Sequence, residues 1–253
     1  MYAGAMKDKH SDSKLILEKV SHNYAAIAVL KDLSLEVNQG EVVVLVGPSG
    51  CGKTTILNLL SGHIEPVSGT IQREGIIRTI YQDDGLFPWL TVSENISIGL
   101  RSIPGAERRK EELHELLNLI HLDGFEHHYP HQLSGGMRQR VELARVLAGD
   151  SDILLMDEPF SALDYQSRLR MRWELVRLLK NRQRTVVFVT HDIEEAAQLA
   201  DRVLVLSARP ATICRELRIE APRPRGLDDN VVIEAMKEIL KELGLHTSDN
   251  PDA

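Results

Sequence analysis

The chain has 253 residues, 43% of them hydrophobic and 26% charged, and this composition excludes a disordered or fibrous protein. The formal net charge of -7 argues against a nucleic-acid partner, because such binding rests on many lysine and arginine contacts to phosphate. The length allows one large α/β domain or two small ones.

The N-terminal part of the chain is predicted to be rich in β-strands. Residues 15–20 and 33–37 alternate apolar and polar residues, which is the pattern of half-buried strands. Val42–Val46 is a continuous aliphatic run followed by glycine, which is typical of a strand covered on both faces in a parallel sheet. Apolar residues at helical spacing follow at 56–60, and Gly62 lies where that helix is expected to end.

Strands and helices alternate further along the chain. Residues 153–156 and 185–190 are strand-like, and each run is followed by a helical pattern such as that of residues 193–200. This alternation predicts a parallel sheet. A helical insertion is expected at about 88–150, with amphipathic stretches at 111–120 and 137–147, and a terminal helix at 231–243. We therefore predict an α/β domain over residues 1–220, followed by a C-terminal helix and polar tail over 221–253.

A glycine-rich loop after the third predicted strand carries the strongest chemical signal. Its sequence, GPSGCGKT, matches the pattern GxxxxGK[ST] and lies between a predicted strand and a predicted helix. Backbone N–H groups of such a loop and the helix N-terminus bind phosphates, Lys53 is expected to bind the β- and γ-phosphates, and Thr54 to ligate Mg²⁺. The nucleotide-binding residues expected here are Gly47, Pro48, Ser49, Gly50, Cys51, Gly52, Lys53, Thr54 and Thr55.

Two carboxylates follow the apolar run of residues 153–156, at the C-terminal end of a predicted strand. Asp157 is expected to hold Mg²⁺, and Glu158 to orient and deprotonate the attacking water. An apolar run that ends in Asp-Glu is, by itself, equally typical of a strand end with solvated acids. The phosphate loop in the same chain favours the catalytic interpretation.

A Leu-Ser-Gly-Gly segment at residues 133–136 precedes a predicted helix, shortly before the strand that ends in Asp157. Here the sequence resembles the ABC ATPases, whose signature has this form and this position. Taken alone, the segment is also typical of a helix N-cap with glycine spacers. The resemblance implies a RecA-like P-loop NTPase core with an N-terminal antiparallel β region and a helical insertion. It also implies that Ser134, Gly135 and Gly136 bind the γ-phosphate of ATP.

Other residues carry the same resemblance. Tyr24 resembles the aromatic residue that stacks on adenine, and Gln82 the Q-loop glutamine that reaches Mg²⁺ and the water. Asp164, in Ser-Ala-Leu-Asp, resembles the D-loop aspartate at the nucleotide site, and His191 the switch histidine. The alternative for Tyr24 is a packed surface aromatic residue, and the alternative for His191 is an ordinary loop histidine. The resemblance thus implies Glu158, His191 and Gln82 as catalytic residues, and Thr54, Gln82 and Asp157 as metal ligands.

In that family two such domains face each other, and each ATP lies between one phosphate loop and the partner's signature. The resemblance therefore implies a dimer of ATPase subunits, identical or related, in which Ser134 and Gly136 act on the other subunit's nucleotide. Two competing classes remain, a soluble ABC protein with a non-membrane partner and a P-loop kinase. The chain has neither the second ATPase domain nor the coiled-coil insertion usual in the former, and residues 134–136 disfavour the latter.

A narrower resemblance rests on three segments, residues 86–92 (LFPWLTV), residues 137–140 (MRQR) and the pair Arg209-Pro210. They are similar to segments of the ATPase subunits of nitrate, sulfonate and taurine importers. This implies uptake of a small anion of the nitrate, sulfonate, taurine or bicarbonate class, although importers of other small solutes use similar segments. Transmembrane permease subunits and an extracytoplasmic solute-binding protein are the implied partners. Residues 86–92 form either a groove for a permease helix or ordinary core packing.

The expected location follows from what the sequence lacks. No apolar run approaches the roughly 20 residues that a spanning helix needs, and residues 1–13 contain no apolar core of a signal peptide. Cys51 and Cys214 have neither paired nor metal-ligand spacing, so free thiols in a reducing compartment are expected. We therefore expect a peripheral subunit at the cytoplasmic face of the inner membrane.

Overall fold

An antiparallel sheet comes first along the chain of the computed structural model, which describes residues 12–81, 85–181 and 183–245. Strand β1 (Ser13–Tyr24) lies between β2 (Ile27–Asn38) and β4 (Ser68–Arg73). The strands predicted at 15–20 and 33–37 are confirmed, each as part of a longer strand. Lys19 and Asp32 have positive φ angles next to shifts in pairing register, so bulges bend the sheet there without ending it.

A second sheet forms the centre of the fold. Its spatial order is β5 (Ile77–Ile80), β6 (Ile153–Asp157), β7 (Thr185–Val189), β3 (Val42–Val46), β8 (Arg202–Leu206) and β9 (Ile213–Arg218). The first five strands run parallel, and β9 is antiparallel to β8. The predicted parallel sheet is confirmed. Sequence patterning missed β9, because its mostly exposed residues have no clear apolar alternation.

Helices and the first sheet cover the central sheet on its two faces. α1 (Lys53–Ser61) and the antiparallel sheet pack on one face, where Val43 and Leu45 point. The neighbouring residues Val42 and Val44 belong to the core on the opposite face, together with the helical segments. Every residue of β3, β6 and β7 is buried for this reason, which is the pattern of strands covered twice.

In the described part of the segment between β5 and β6 there are three α-helices, α2 (Val92–Gly99), α3 (Ala106–Leu119) and α4 (Gly135–Leu147). They contain the predicted amphipathic stretches, but α3 and α4 begin earlier than apolar spacing indicates. In α4 the Ser134 hydroxyl accepts a hydrogen bond from the Met137 N–H, so the cap sets the start even though glycines follow.

The remaining helices follow the central strands. α5 (Tyr165–Asn181) follows β6, α6 (Ile193–Leu199) follows β7, and α7 (Asn230–Glu242) packs on α6 and β9. α7 lies one residue from the predicted bounds of 231–243. Ile239 of α7 belongs to the main core, so the terminal helix is attached to the same body. The division of the chain at residue 220 stays a prediction.

Candidate functional site

The loop between β3 and α1 closes around a lysine. α1 begins at Lys53, directly after Gly52, which has a φ of 125°. A Cβ atom at Gly52 would lie 2.8 Å from Val29 Cγ1, so only glycine fits between this loop and β2. The Lys53 ammonium donates hydrogen bonds to the backbone oxygens of Gly47 at 2.8 Å and Pro48 at 3.0 Å. The cation is thus held at the N-terminus of α1, where backbone N–H groups lack intrahelical partners.

This loop forms one wall of an open cleft of about 360 Å³. A larger cleft, of about 920 Å³, lies between the antiparallel sheet and β9, but none of the predicted site residues line it. The smaller cleft brings together residues that are far apart in the chain: Tyr24, Val29, Ser49, Gly50, Gly52, Lys53, Thr54, Thr55, Asp157, Glu158, Val189 and Arg209. Chemistry and not size therefore identifies the candidate site.

Asp157 ends β6 at the floor of this cleft and is 2% exposed. The pKa of its carboxyl group is raised above the usual value, mainly by burial and further by the charge of neighbouring Glu158. A hydrogen bond from the Thr54 hydroxyl and the charge of Lys53 oppose this rise. Within the described residues, Asp157 Oδ2 has no hydrogen-bond partner. A buried carboxylate oxygen without a partner, next to a threonine hydroxyl, fits a small hard cation.

Glu158 follows in a backbone conformation that is uncommon for glutamate, with a φ of 48°. Its N–H donates to Val189 O at 2.9 Å, and its carbonyl oxygen accepts from the Ser161 N–H at 3.1 Å, so neighbouring segments hold this turn. His191 Nδ1 lies 3.2 Å from Glu158 Oε1, and the imidazole is 63% exposed. The structure therefore brings His191 into contact with Glu158, which lines the cleft.

Side-chain hydrogen bonds on both sides fix the loop that carries His191. The Thr190 hydroxyl donates to Glu195 Oε2 at 2.6 Å and accepts from the Asp192 N–H at 2.9 Å. Asp192 Oδ1 in turn accepts from the Glu195 N–H and caps α6. Burial raises the pKa of Glu195, and the Thr190 hydrogen bond and the charge of Arg172 lower it. His191 is thus exposed on a loop whose two neighbours are anchored in the interior.

Two arginines of α5 bind this loop, and one of them, Arg168, also connects it to residues 161–164. Asp192 Oδ2 accepts from Arg172 Nη2 at 2.7 Å and from Arg168 Nη1 at 2.9 Å. Arg168 Nη2 also donates to Leu163 O at 3.3 Å. Asp164 ends the segment, and its exposed carboxylate accepts from the Ser167 side chain and from the Ser167 N–H at 3.0 Å, which lowers its pKa. Sequence reasoning missed these arginines, because their role depends on packing between distant segments.

The glycine-rich turn before α4 lies outside the cleft. Ser134 and Gly135 are exposed, and the Ser134 hydroxyl accepts from the Met137 N–H at 3.2 Å. A Cβ atom at Gly136 would lie 3.2 Å from Ala162 O, so this turn packs on residues 161–164. The structure therefore does not bring Ser134, Gly135 and Gly136 to the phosphate loop of their own chain. Gln82, a predicted catalytic and metal-binding residue, lies outside the described residues.

Gln139 joins α4 to the carboxylate end of β6. Its Nε2 lies 3.2 Å from Glu158 O and 3.3 Å from Ser161 Oγ, and its Oε1 accepts from the Ala162 N–H at 2.9 Å. Sequence reasoning included Gln139 only in the MRQR segment. The available signal was helical spacing, because a residue three positions after Gly136 lies on the same face of α4.

Residues 86–92 are divided between the core and the surface. Leu86 and Val92 are buried, whereas Phe87 is 37% and Trp89 68% exposed, with ring centroids 5.5 Å apart. Buried Asn95 fixes this turn: Phe87 N–H donates to its Oδ1 at 2.9 Å, and its Nδ2 donates to Phe87 O at 3.2 Å. Core packing is therefore correct for the two ends of the stretch, while its aromatic centre is open to a partner. In the described ranges no helix is both long and apolar enough to cross a membrane.

A family model and the similar proteins of known family all assign the chain to the same family. Residues 30–161 match the family described as ABC transporter. The chain is 42% identical over 242 residues to an aliphatic sulfonates import ATP-binding protein of Rhodococcus jostii, covering 93% of this chain and 95% of that protein. It is 44% identical over 207 residues to a sulfate/thiosulfate import ATP-binding protein of Pseudomonas syringae, covering 76% of this chain and 64% of that protein's length.

Solved structures give the same relationship. A dimeric bacterial ABC transporter cassette superposes with a TM-score of 0.74 at 32% identity, covering 82% of this chain and all of that one. A dimeric post-hydrolysis state of an ATP-binding cassette, bound to ADP and Pi, superposes with a TM-score of 0.73 at 30% identity, with the same coverage.

Proposed function

This chain belongs to the ABC transporter family, and from that premise we propose that it is the ATP-hydrolysing subunit of an importer for a small anion. The observation that carries the proposal is the cleft itself. A phosphate-binding loop, a lysine, a threonine hydroxyl and two carboxylates from separate segments converge on about 360 Å³ of open space. This is the set of groups that phosphoryl transfer requires.

The phosphate loop binds the triphosphate. The free N–H groups at the start of α1 donate to phosphate oxygens, and the Lys53 ammonium exchanges its two carbonyl partners for the β- and γ-phosphates. Thr55 extends the contacts along the first turn of α1. Tyr24 lies on the rim of the same cleft and is 46% exposed, so its ring is available to stack on adenine.

Asp157 and Thr54 would hold Mg²⁺. The unpartnered, buried Oδ2 of Asp157 supports this assignment, because a carboxylate oxygen and a hydroxyl are ligands that Mg²⁺ takes beside phosphate oxygens. When bound, the ion supplies neutralisation of charge on the β- and γ-phosphates. Gln82 is the further ligand expected from the sequence.

Glu158 positions the attacking water and accepts its proton. His191 orients the Glu158 carboxylate through the 3.2 Å contact between Nδ1 and Oε1. The imidazole is 63% exposed, so it is also available to contact the terminal phosphate. The anchoring of Thr190 and Asp192 fixes this geometry before ATP binds, so little reorganisation is needed at the moment of reaction.

The working unit is a dimer in which the exposed turn of residues 134–136 covers the ATP of the second subunit. The N-terminus of α4 supports this role, because it presents N–H groups and glycines outward and, among the described residues, does not line the cleft that contains Lys53. Asp164, also exposed, lies on the same side through the contact of Gly136 with residues 161–164.

Transmembrane permease subunits are the proposed partners of Phe87 and Trp89, so the chain acts as a peripheral subunit at the cytoplasmic face of the membrane. An extracytoplasmic binding protein delivers the solute. The sulfonate and sulfate/thiosulfate relatives support an oxyanion as that solute. Nitrate, taurine and bicarbonate belong to the same class of small anions.

The first test measures ATP hydrolysis by the purified chain with Mg²⁺. We expect Glu158→Gln to lower kcat by about 10³-fold while it still binds ATP and accumulates as a dimer in gel filtration. Glu111→Gln, an exposed substitution on α3 with the same charge change, is the matched control and should retain activity. A chain that stays monomeric with ATP in the Glu158→Gln variant would contradict the proposed dimer.

The second test reconstitutes the chain with its permease and measures ATPase stimulation by binding protein loaded with sulfonate, sulfate or nitrate. Trp89→Ala should abolish this stimulation and leave the basal ATPase of the isolated chain within about twofold of wild type. Trp173→Ala removes the other tryptophan, which is 47% exposed on α5, and should change neither rate. Stimulation by none of these anions would remove the solute class while the ATPase assignment stands.

A further inference from the structure

Arg209 lies on a short, well-anchored loop between β8 and β9. The Ser207 hydroxyl accepts from the Thr212 N–H at 3.0 Å, and the Ser207 N–H donates to Thr212 O at 3.0 Å. Between them, the Ala211 N–H donates to Val29 O of β2 at 2.7 Å. The loop is therefore tied both to itself and to the strand that packs on the phosphate loop, so the position of Arg209 relative to that loop is fixed by the backbone.

The side chain of Arg209 reaches the phosphate loop. A Cβ atom at Gly50 would lie 3.3 Å from Arg209 Nη2, so the guanidinium lies directly against this turn. Arg209 also lines the nucleotide cleft together with Tyr24 and Lys53. Arg209 comes from the loop after β8, and none of the nucleotide-binding residues predicted from the sequence belongs to that loop.

Within the described residues, the Arg209 guanidinium has no partner. Across the described part of the chain the Arg209 side chain forms no hydrogen bond or ion pair, whereas Arg202, Arg218 and Arg223 all bind carboxylates. Of the cleft-lining residues, Lys53 and Arg209 are the cations and Asp157 and Glu158 the anions. A nucleotide polyphosphate adds several negative charges to this set, and Lys53 alone does not balance them.

We propose that Arg209 is a nucleotide-binding residue whose guanidinium binds the polyphosphate of the nucleotide held in its own chain's cleft. A guanidinium presents paired N–H donors that match two phosphate oxygens, which is the stronger and more directional form of this contact. The inference rests on the proposed ATP-binding function and adds a residue that the phosphate-loop pattern does not contain.

The experiment measures the Kd of ADP and of a non-hydrolysable ATP analogue for the full chain by calorimetry, with Mg²⁺ present. Arg209→Ala should raise both values about tenfold, and Arg209→Lys about threefold, because the charge remains but the paired donors are lost. The matched control is Arg215→Ala on β9, which removes an exposed positive charge outside the cleft and should change neither Kd by more than about twofold. A GTP analogue should lose affinity for Arg209→Ala by the same factor as the ATP analogue, because the polyphosphate is common to both.

Four results would overturn the inference. If Arg209→Ala and Arg215→Ala weaken nucleotide binding equally, the cause is a long-range charge effect. A loss confined to adenine nucleotides means a contact with the base. Unchanged ADP affinity with impaired ATP-driven dimer formation means a contact with the second subunit, and unchanged affinity throughout means no contact. A wild-type chain that binds no nucleotide would instead refute the proposed function itself.

Discussion

Two glycine-rich segments of this chain, residues 47–54 and residues 134–136, each lead into the first turn of a helix, yet their surroundings differ. The N-terminus of α1 faces a cleft whose walls come from β2, β6 and the loop after β8. The N-terminus of α4 is exposed, and its own Ser134 hydroxyl satisfies the Met137 N–H. Helix N-termini attract anions in both cases, but only the first has lysine and carboxylates around the space where phosphates fit.

Under the proposed function, these two turns are unlike halves of a phosphate site. The first turn binds the nucleotide and carries the chemistry, and the second turn faces the partner subunit. The two halves are mechanically connected, because Gln139 joins α4 to Glu158 and to residues 161–162, and Arg168 joins residue 163 to the loop of His191. In the proposed dimer, this connection transmits the contact of the outer turn with the second nucleotide to Glu158.

The largest expected effect comes from separating the halves in two variants. Lys53→Ala removes the phosphate-binding cation, and Ser134→Arg blocks the exposed turn, so each alone should lower ATPase activity by about 10²-fold or more. Mixed dimers of the two variants contain one intact site, because each supplies the half that the other lacks. An equal mixture should therefore recover roughly a quarter of wild-type activity if sites act independently.

Gel filtration with labelled chains verifies that mixed dimers form, and far-UV circular dichroism verifies that each variant is folded. Mixed dimers that remain as inactive as the separate variants would break the comparison, since both halves would then have to serve the same chain.

A smaller effect is expected from cutting the connection between the halves. Gln139→Ala removes three hydrogen bonds that join α4 to residues 158–162. We expect a loss of about 1 kcal/mol in stability and a several-fold lower kcat, with ATP affinity unchanged, because the cleft keeps all its groups. Thermal unfolding and steady-state kinetics measure both.

The control for this variant is Gln166→Ala, an exposed substitution on α5, which should leave both quantities near wild type. If Gln139→Ala instead weakens ATP binding and leaves kcat intact, Gln139 supports the cleft and does not connect it to the outer turn.

Local patterns explain which parts of this arrangement were predictable. The phosphate loop after β3 and the carboxylates at the end of β6 follow from residues adjacent in sequence, and the structure places both at one cleft. By contrast, the approach of Arg209 to Gly50 depends on a loop held by β2, and no spacing rule connects residues so far apart. The positive φ of Glu158 is also invisible in sequence, because flanking hydrogen bonds and not residue preference impose it.

The smallest expected effect concerns thermal stability. It sharpens the comparison by testing whether the buried Asp157 carboxylate destabilises the folded protein in the absence of nucleotide. Burial raises the pKa of Asp157. A raised pKa means that the folded state favours the protonated carboxyl, so this contribution to stability is complete below the ordinary pKa and lost as pH rises through the raised value. At neutral pH the ionised group therefore destabilises the nucleotide-free protein, and Asp157→Asn should raise its Tm by roughly 1 to 3 °C.

Asp164 provides a control of opposite sign near the outer turn. Its pKa is lowered by hydrogen bonds from Ser167, so its contribution is present above the ordinary pKa and lost as pH falls through the lowered value. Asp164→Asn should therefore not raise the Tm at pH 7. For Asp157→Asn the gain should shrink as pH falls, and Mg²⁺ should raise the Tm of wild type but not of this variant, since the unpartnered Oδ2 is then absent. A lower Tm for Asp157→Asn at pH 7 would mean that the carboxylate already has a stabilising partner. Ionised Asp157 would then stabilise the folded protein, as ionised Asp164 does.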